Sequence, residues 1–239
     1  MLHFPGTHMG RYYYKTLYTT IELLLQKSAQ QDLSWLEKQL TIIIAHNYKF
    51  VPPVEKTLNS LGFGNFVNVG SYVQNWSNIL KPKLVLDSID NVTTEFVMFL
   101  DAIDVCVVHL DGIIEKFKQA QCKVLFGAVA GHYPYQGKDQ KWHNSIAQKF
   151  SQFTTQIGSV VGQLNSGQWM CKAKDVRPFL EETIKIEPHS KRQNSDQHLF
   201  KVMFKKHFPI VSLDFSASIF QVLTKDRKFP NKHLTLEVT

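Results

Sequence analysis

The feature that most constrains this chain is the repetition of short, β-branched apolar runs separated by helix-period segments. "LTIIIAHN" (40–47), "FVNVGS" (66–71), "EFVMFLDAIDVCVV" (95–108) and "CKVLFGAVA" (122–130) each read as strands. The first is continuous and apolar, as a strand buried on both faces must be. Between and after them, "PPVEKTLNSLGF" (52–63), "KPKLVLDSIDNV" (81–92), "LDGIIEKFKQAQ" (110–121), "KDVRPFLEETIKI" (174–186) and "DQHLFKVMFKKHF" (196–208) carry apolar residues at helical spacing. "WMCKA" (169–173), "PIVSLD" and "SIFQVL" are the remaining strands, and a further helix is expected over 144–153. Strands alternating with helices predict an α/β fold with a largely parallel mixed sheet flanked by helices. No repeat or linker divides the chain after residue 40, so one domain is expected over 40–239, preceded by a helical extension over 1–39.

In such sheets ligands collect at the carboxyl ends of the strands. There the third strand delivers Asp101 and Asp104, three positions apart, straight after an apolar run. An unpaired buried carboxylate is costly. A metal ion, a pair of cations, or solvation in a turn ahead of the next helix would each account for the two. Mg²⁺ and Mn²⁺ favour a few carboxylate oxygens together with phosphate oxygens of a substrate. "GQLNSGQWM" (162–170) is a second candidate, its Asn165, Ser166 and Gly167 reading as a turn that lets backbone approach a ligand. "NSDQHLF" (194–200) is a third, with Asp196 either a helix cap or a functional carboxylate.

Other chemistries lose ground. Ten histidines include no H-E-x-x-H pair, and His132, His143, His189, His198 and His207 read as surface residues. There is no nucleophile elbow and no Walker lysine loop; "LGFGNF" follows a helix, which is the wrong context for a dinucleotide fingerprint. Three cysteines match neither a disulfide framework nor a zinc pattern, pointing to a reducing compartment, with Cys106 a small core residue. The opening stretch lacks signal-peptide regions and no run reaches the roughly 18 residues of a membrane span, so no membrane association and a cytoplasmic location are expected. A formal charge of +7 suits anionic partners, though the basic residues are dispersed, with Lys201 and Lys205–Lys206 forming one of the denser patches.

"FLDAIDVCVV", "IIEKFKQAQCKVLFGA", "YPY", "LNSGQWM", "SDQHLFKVMF" and "LDFSASIFQVL", in this order and spacing, resemble the glycosyltransferase domain of the procollagen lysyl hydroxylases and its stand-alone relatives, over roughly residues 40–224. The resemblance implies a single GT-A-like nucleotide-binding domain that uses Mn²⁺ (or Mg²⁺) and a UDP-sugar, UDP-glucose or UDP-galactose, as donor. It implies that Asp101 and Asp104 bind the metal and its diphosphate, and that Ala45 and His46 line the uridine pocket. Lys81 and Lys83 would contact phosphates, and Asn165, Ser166 and Gly167 would lie beside the sugar. Asp196 would act on the sugar or the acceptor hydroxyl; the family suggests a hydroxylysine side chain as acceptor, while the basic charge and the expected intracellular setting equally allow a hydroxylated DNA base. The chain departs from the family at Ser195 and Gln168, where the family has Asp and Gly. It departs also at Ile103, which stands where an aromatic stacks on uracil, and in lacking the closing His-Gly-Asn-Gly segment. His233 is the one terminal candidate for the third metal ligand. A non-catalytic nucleotide-sugar or nucleic-acid binding module on a degenerate fold is the alternative. The aromatic, lysine-bearing segment 131–160 reads as an acceptor lid or a nucleic-acid groove.

Overall fold

The structure, a computed structural model, describes residues 2–3, 32–129, 133–134, 138–150 and 162–222. Six strands form the main sheet: β2 (Leu40–Ile44), β3 (Phe66–Asn68), β4 (Phe96–Leu100), β6 (Val124–Val129), β7 (Gln163–Lys172) and β8 (Val211–Asp214), in the order β3-β2-β4-β7-β6-β8. All run parallel except β7, which is antiparallel to both its neighbours. A small second sheet joins β1 (Leu2–His3) to β5 (Val105–Cys106) and β9 (Gln221–Val222).

The α-helices among the described residues are α1 (Ser34–Glu37), α2 (Pro53–Leu61), α3 (Lys81–Ser88), α4 (Ile113–Gln119), α5 (Lys138–Lys149), α6 (Ala173–Thr183) and α7 (Asp196–His207). Period-2 alternation sends each central strand's side chains to two cores. Val97 and Phe99 of β4, with Phe126 and Trp169, pack under α3, α6 and α7 through Val85, Leu180, Phe200 and Phe204. Phe96, Met98 and Leu100 join Ile42 and Ile44 under α2 and α4, against Leu58, Ile114 and Phe117. Burial on both sides is why these strands read as unbroken apolar runs. The α2 start is set by Pro53 and its end by Gly62, whose φ of 74° is the left-handed helix stop that glycine adopts without a Cβ clash.

The α/β class and the mostly parallel mixed sheet agree with the sequence-based expectation. Two details differ. The strand expected over 169–173 begins at Gln163, so Asn165, Ser166 and Gly167 belong to a buried strand and not to a turn. The helix expected over 144–153 spans Lys138–Lys149. Most of the helical extension expected over 1–39 lies outside the described residues, though Leu33 and Leu36 pack into the core beside Leu40. No helix among the described residues is long and apolar enough to cross a membrane.

Candidate functional site

The carboxyl ends of β2, β4 and β6 meet the beginning of antiparallel β7 along one edge of the sheet. Asp101 follows β4 and keeps its alternation, so its side chain falls on the face covered by α3 and α7. Its backbone N–H donates to the Gly167 carbonyl at 2.7 Å, continuing the β4–β7 ladder one step past the strand. The β6–β7 register shifts between Phe126 and Gly127, which absorbs the extra residues 166–168 in a bulge. That bulge aims Ser166 at Asp196, whose carboxylate accepts its hydroxyl hydrogen bond.

Lys81 begins α3 and is buried at the centre of the cluster. Its Nζ lies 2.6 Å from Asp101 Oδ1 and 3.6 Å from Asp196 Oδ2. Burial opposes the charged ammonium, but the fields of Asp101, Asp196 and Asp104 outweigh it and hold the lysine well above its ordinary value. Lys81 thus answers half of what the two carboxylates of the β4 end raise: Asp101 is neutralised by an ammonium.

Asp196 is 5% exposed. Ser195, in the position where the resembling family has Asp, caps α7 by accepting the His198 N–H at 3.3 Å. The cap duty therefore falls on Ser195, leaving the buried Asp196 carboxylate to meet Lys81 and Ser166, with Oδ1 accepting the Gln197 N–H at 2.9 Å. Its Oδ2 has no hydrogen-bond partner among the described residues and only the longer ion pair to Lys81. Burial raises its pKa, Lys81 pulls against that, and the nearby Asp101 charge adds to the rise.

On the β2 side, Ala45 and His46 are buried at the strand end. His46 Nδ1 accepts the Tyr48 N–H at 3.1 Å, which assigns the ring proton to Nε2, 2.7 Å from Glu55 Oε1. Asn68 Oδ1 accepts both the His46 and the Gly70 N–H groups, tying the ends of β2 and β3 together. A Cβ on Gly70 would stand 2.8 Å from the His46 backbone, so only glycine allows this approach. His46 and the exposed Tyr48 stack with ring centroids 5.4 Å apart, and partial burial and the Asp104 charge raise the Tyr48 pKa.

The structure thus brings together Lys81, Asp101, Asp104, Ser166 and Asp196, with Ala45 and His46 on the adjoining strand end. Ile103 is half-buried between the two aspartates, and Asn165 turns inward to accept the Gly167 N–H at 2.9 Å. Lys83 does not join them: it is exposed and paired with Asp87 one turn along α3. His143, expected at the surface, is 1% exposed under α7, its pKa lowered to about 3 by burial and by Lys201 and Lys205. Lys201, expected in a surface basic patch, is fully buried, its Nζ donating to Gln163 Oε1 at 3.4 Å. His233 lies outside the described residues.

Among the described residues no three His, Cys, Asp or Glu side chains converge as a complete metal site. The donor set nonetheless fits a phosphate-bound cation, because Mg²⁺-type ions take one or two carboxylates and complete their shell with water and phosphate oxygens. Three carboxylates around one ammonium leave the ionised cluster at a formal −2, a charge that one divalent ion balances.

No protein-family model and no curated protein matches this sequence. Among solved structures the chain is similar to A197 from STIV, with a TM-score of 0.41 and 14% identity, covering 70% of this chain and 78% of that one.

Proposed function

We propose that this chain is a glycosyltransferase that moves a hexose from UDP-glucose or UDP-galactose to a hydroxyl acceptor. The observation that carries this reading is the cluster around Lys81. A net-negative site at the carboxyl edge of a mostly parallel sheet repels a diphosphate alone and accepts one that arrives with a divalent cation. Asp101 and Asp104 would hold Mn²⁺ or Mg²⁺, which when bound neutralises charge building on the departing diphosphate. Lys81 fixes Asp101 and contributes a permanent positive charge. Ala45 and His46, held by Asn68 and Glu55, form the wall for the uridine end.

Asp196 is the acceptor-side carboxylate. Its buried Oδ2, lacking a hydrogen bond, receives the proton of the acceptor hydroxyl, and its raised pKa makes it a stronger base than a surface aspartate. The hydroxyl oxygen bonds to the anomeric carbon as the bond from that carbon to the diphosphate breaks, its electron pair leaving with UDP. The motif order shared with the lysyl hydroxylase glycosyltransferase domains supports the same reading.

Hydrolysis of UDP-glucose and UDP-galactose, assayed with and without Mn²⁺, tests it. Slow Mn²⁺-dependent release of UDP is expected. UDP binding without release from any sugar nucleotide would instead identify a non-catalytic module.

A further inference from the structure

A concavity of about 410 Å³ has Asn78, Tyr133, Lys191, Arg192, Gln193 and Asn194 among its lining residues. Two of its lining residues adjoin cluster residues in the chain. Asn78 belongs to the 3₁₀ turn Asn78–Leu80 that runs directly into Lys81, and Asn194 lies two residues before Asp196. Gln197, next to Asp196, donates from Nε2 to the Tyr133 carbonyl at 2.7 Å, which ties the far wall to α7.

Its chemistry is opposite to that of the cluster. Lys191 and Arg192 are exposed cations, and among the described residues no acidic side chain lines the cavity. The Arg192 guanidinium lies 5.9 Å from the centre of the Tyr133 ring, and Tyr133 is 51% exposed. Cations for phosphate, an aromatic face for stacking and amides for base edges are what a single-stranded nucleic acid requires. The volume falls within the range of small-ligand pockets, about 300–1,000 Å³.

We propose that this pocket receives the acceptor, and that the acceptor is a nucleotide of a single strand whose base carries a hydroxyl group. The proposal rests on the glycosyltransferase reading and chooses between its two acceptors. A hydroxylysine peptide brings an ammonium group that Lys191 and Arg192 repel, whereas a phosphodiester is drawn in. An unstacked base held beside Asn194 would extend its hydroxyl toward Asp196, two residues further along the chain. The proton passes to Asp196, the base oxygen takes the sugar, and UDP leaves with the electron pair.

Fluorescence anisotropy with a labelled short single-stranded oligodeoxynucleotide tests the pocket, with calorimetry of UDP plus Mn²⁺ in parallel on the same proteins. Binding should weaken with salt at a log–log slope of about −1.4, for two phosphate contacts at about −0.7 each. Arg192→Ala should lower the affinity about tenfold and flatten the slope by about 0.7. Tyr133→Ala should lower the affinity about tenfold without changing the slope, since it removes stacking alone. Both side chains are exposed, so the variants keep the fold. Variants indistinguishable from wild type overturn the proposal. So does an equal loss of UDP affinity, which would give the pocket to the donor. A free mononucleotide that binds as tightly as the strand, or a hydroxylysine peptide that binds where the oligonucleotide does not, overturns it too. Oligonucleotide binding that depends on Arg192 and Tyr133 in a protein that ignores UDP would sink the donor reading and leave the pocket assignment standing.

Discussion

The Nζ of Lys81 lies 2.6 Å from Asp101 Oδ1, joining the first turn of α3 to the end of β4 inside a largely buried site. Twenty residues separate the two in the chain. The pair does two things at once: it removes the penalty of a carboxylate at the edge of the core and sets the charge that the proposed ligand would meet.

Removing that ammonium leaves Asp101 and Asp196 facing each other in a dry site. Lys81→Met is expected to lose about 3–5 kcal/mol in urea denaturation, the usual consequence of deleting one partner of a buried pair. Adding Asp196→Asn should return part of the loss. The lysine's folded value is raised, so its contribution is fully present below the ordinary lysine value of 10.5. The wild-type pair should therefore show no lysine-linked decline in stability anywhere between pH 6 and 10; a double variant no more stable than Lys81→Met would refute the coupling.

The two aspartates flanking Lys81 should separate binding from chemistry. Asp101→Asn is expected to lose Mn²⁺-dependent UDP affinity by tenfold or more, about 1.4 kcal/mol. Asp196→Asn should bind UDP nearly normally while transfer falls by about 10²-fold or more, the scale of general-base catalysis. Calorimetry and UDP-release assays on both variants check the split; equal UDP losses would place Asp196 with the nucleotide.

Gly70→Ala pushes a methyl into the His46 backbone, which cannot rotate away as a side chain would. A loss of about 1–3 kcal/mol is expected from overpacking, together with weaker UDP binding, because the displaced strand end is the proposed uridine wall. Thermal melts with and without UDP and Mn²⁺ measure both; unchanged UDP affinity would remove Ala45 and His46 from the site.

Lys201 supplies a pH dependence. Burial lowers its folded value to about 7, against 10.5 unfolded. Between those limits the unfolded chain holds a proton that the folded chain has shed, so stability should rise with pH from 7 to 10.5. Lys201→Met should abolish this rise, and its advantage over wild type should be largest at pH 7 and shrink by pH 10. Melting curves at pH 7, 8.5 and 10 would reveal it; parallel curves would contradict it. His143 acts in the same sense lower down, its folded value near 3 making stability fall as pH drops below 6.5.

Legibility in the sequence follows burial symmetry. β2 and β4, covered by helices on both faces, announce themselves as apolar runs. The first half of β7 does not, because Asn165, Ser166, Gly167 and Gln168 carry turn-forming or polar side chains; long-range pairing with β6 and β4 overrides that local preference. Asp101 and Asp196 were readable as candidates from their place after a strand and at a helix start. Their union through Lys81 was not, since no spacing rule links residues 81, 101 and 196. The separation of Lys83 from the cluster was recoverable: two residues along a helix turn a side chain some 200° away, and Asp87 waits four residues on. Lys201 and His143 look like ordinary surface residues in the sequence, and only packing beneath α7 buries them.

The small sheet has a consequence for how the protein is born. β1 holds β5, the strand that begins one residue after Asp104, and β1 is itself flanked by β9, about 220 residues later in the chain. At the ribosome's roughly 5–20 residues per second, on the order of 10–40 s pass between the appearance of β1 and that of its last partner. During that interval the acidic turn has only one side of its brace. The candidate site therefore gains its last brace only once β9 has emerged, and a nascent chain released before then would carry a nearly complete sheet with an unfinished mouth.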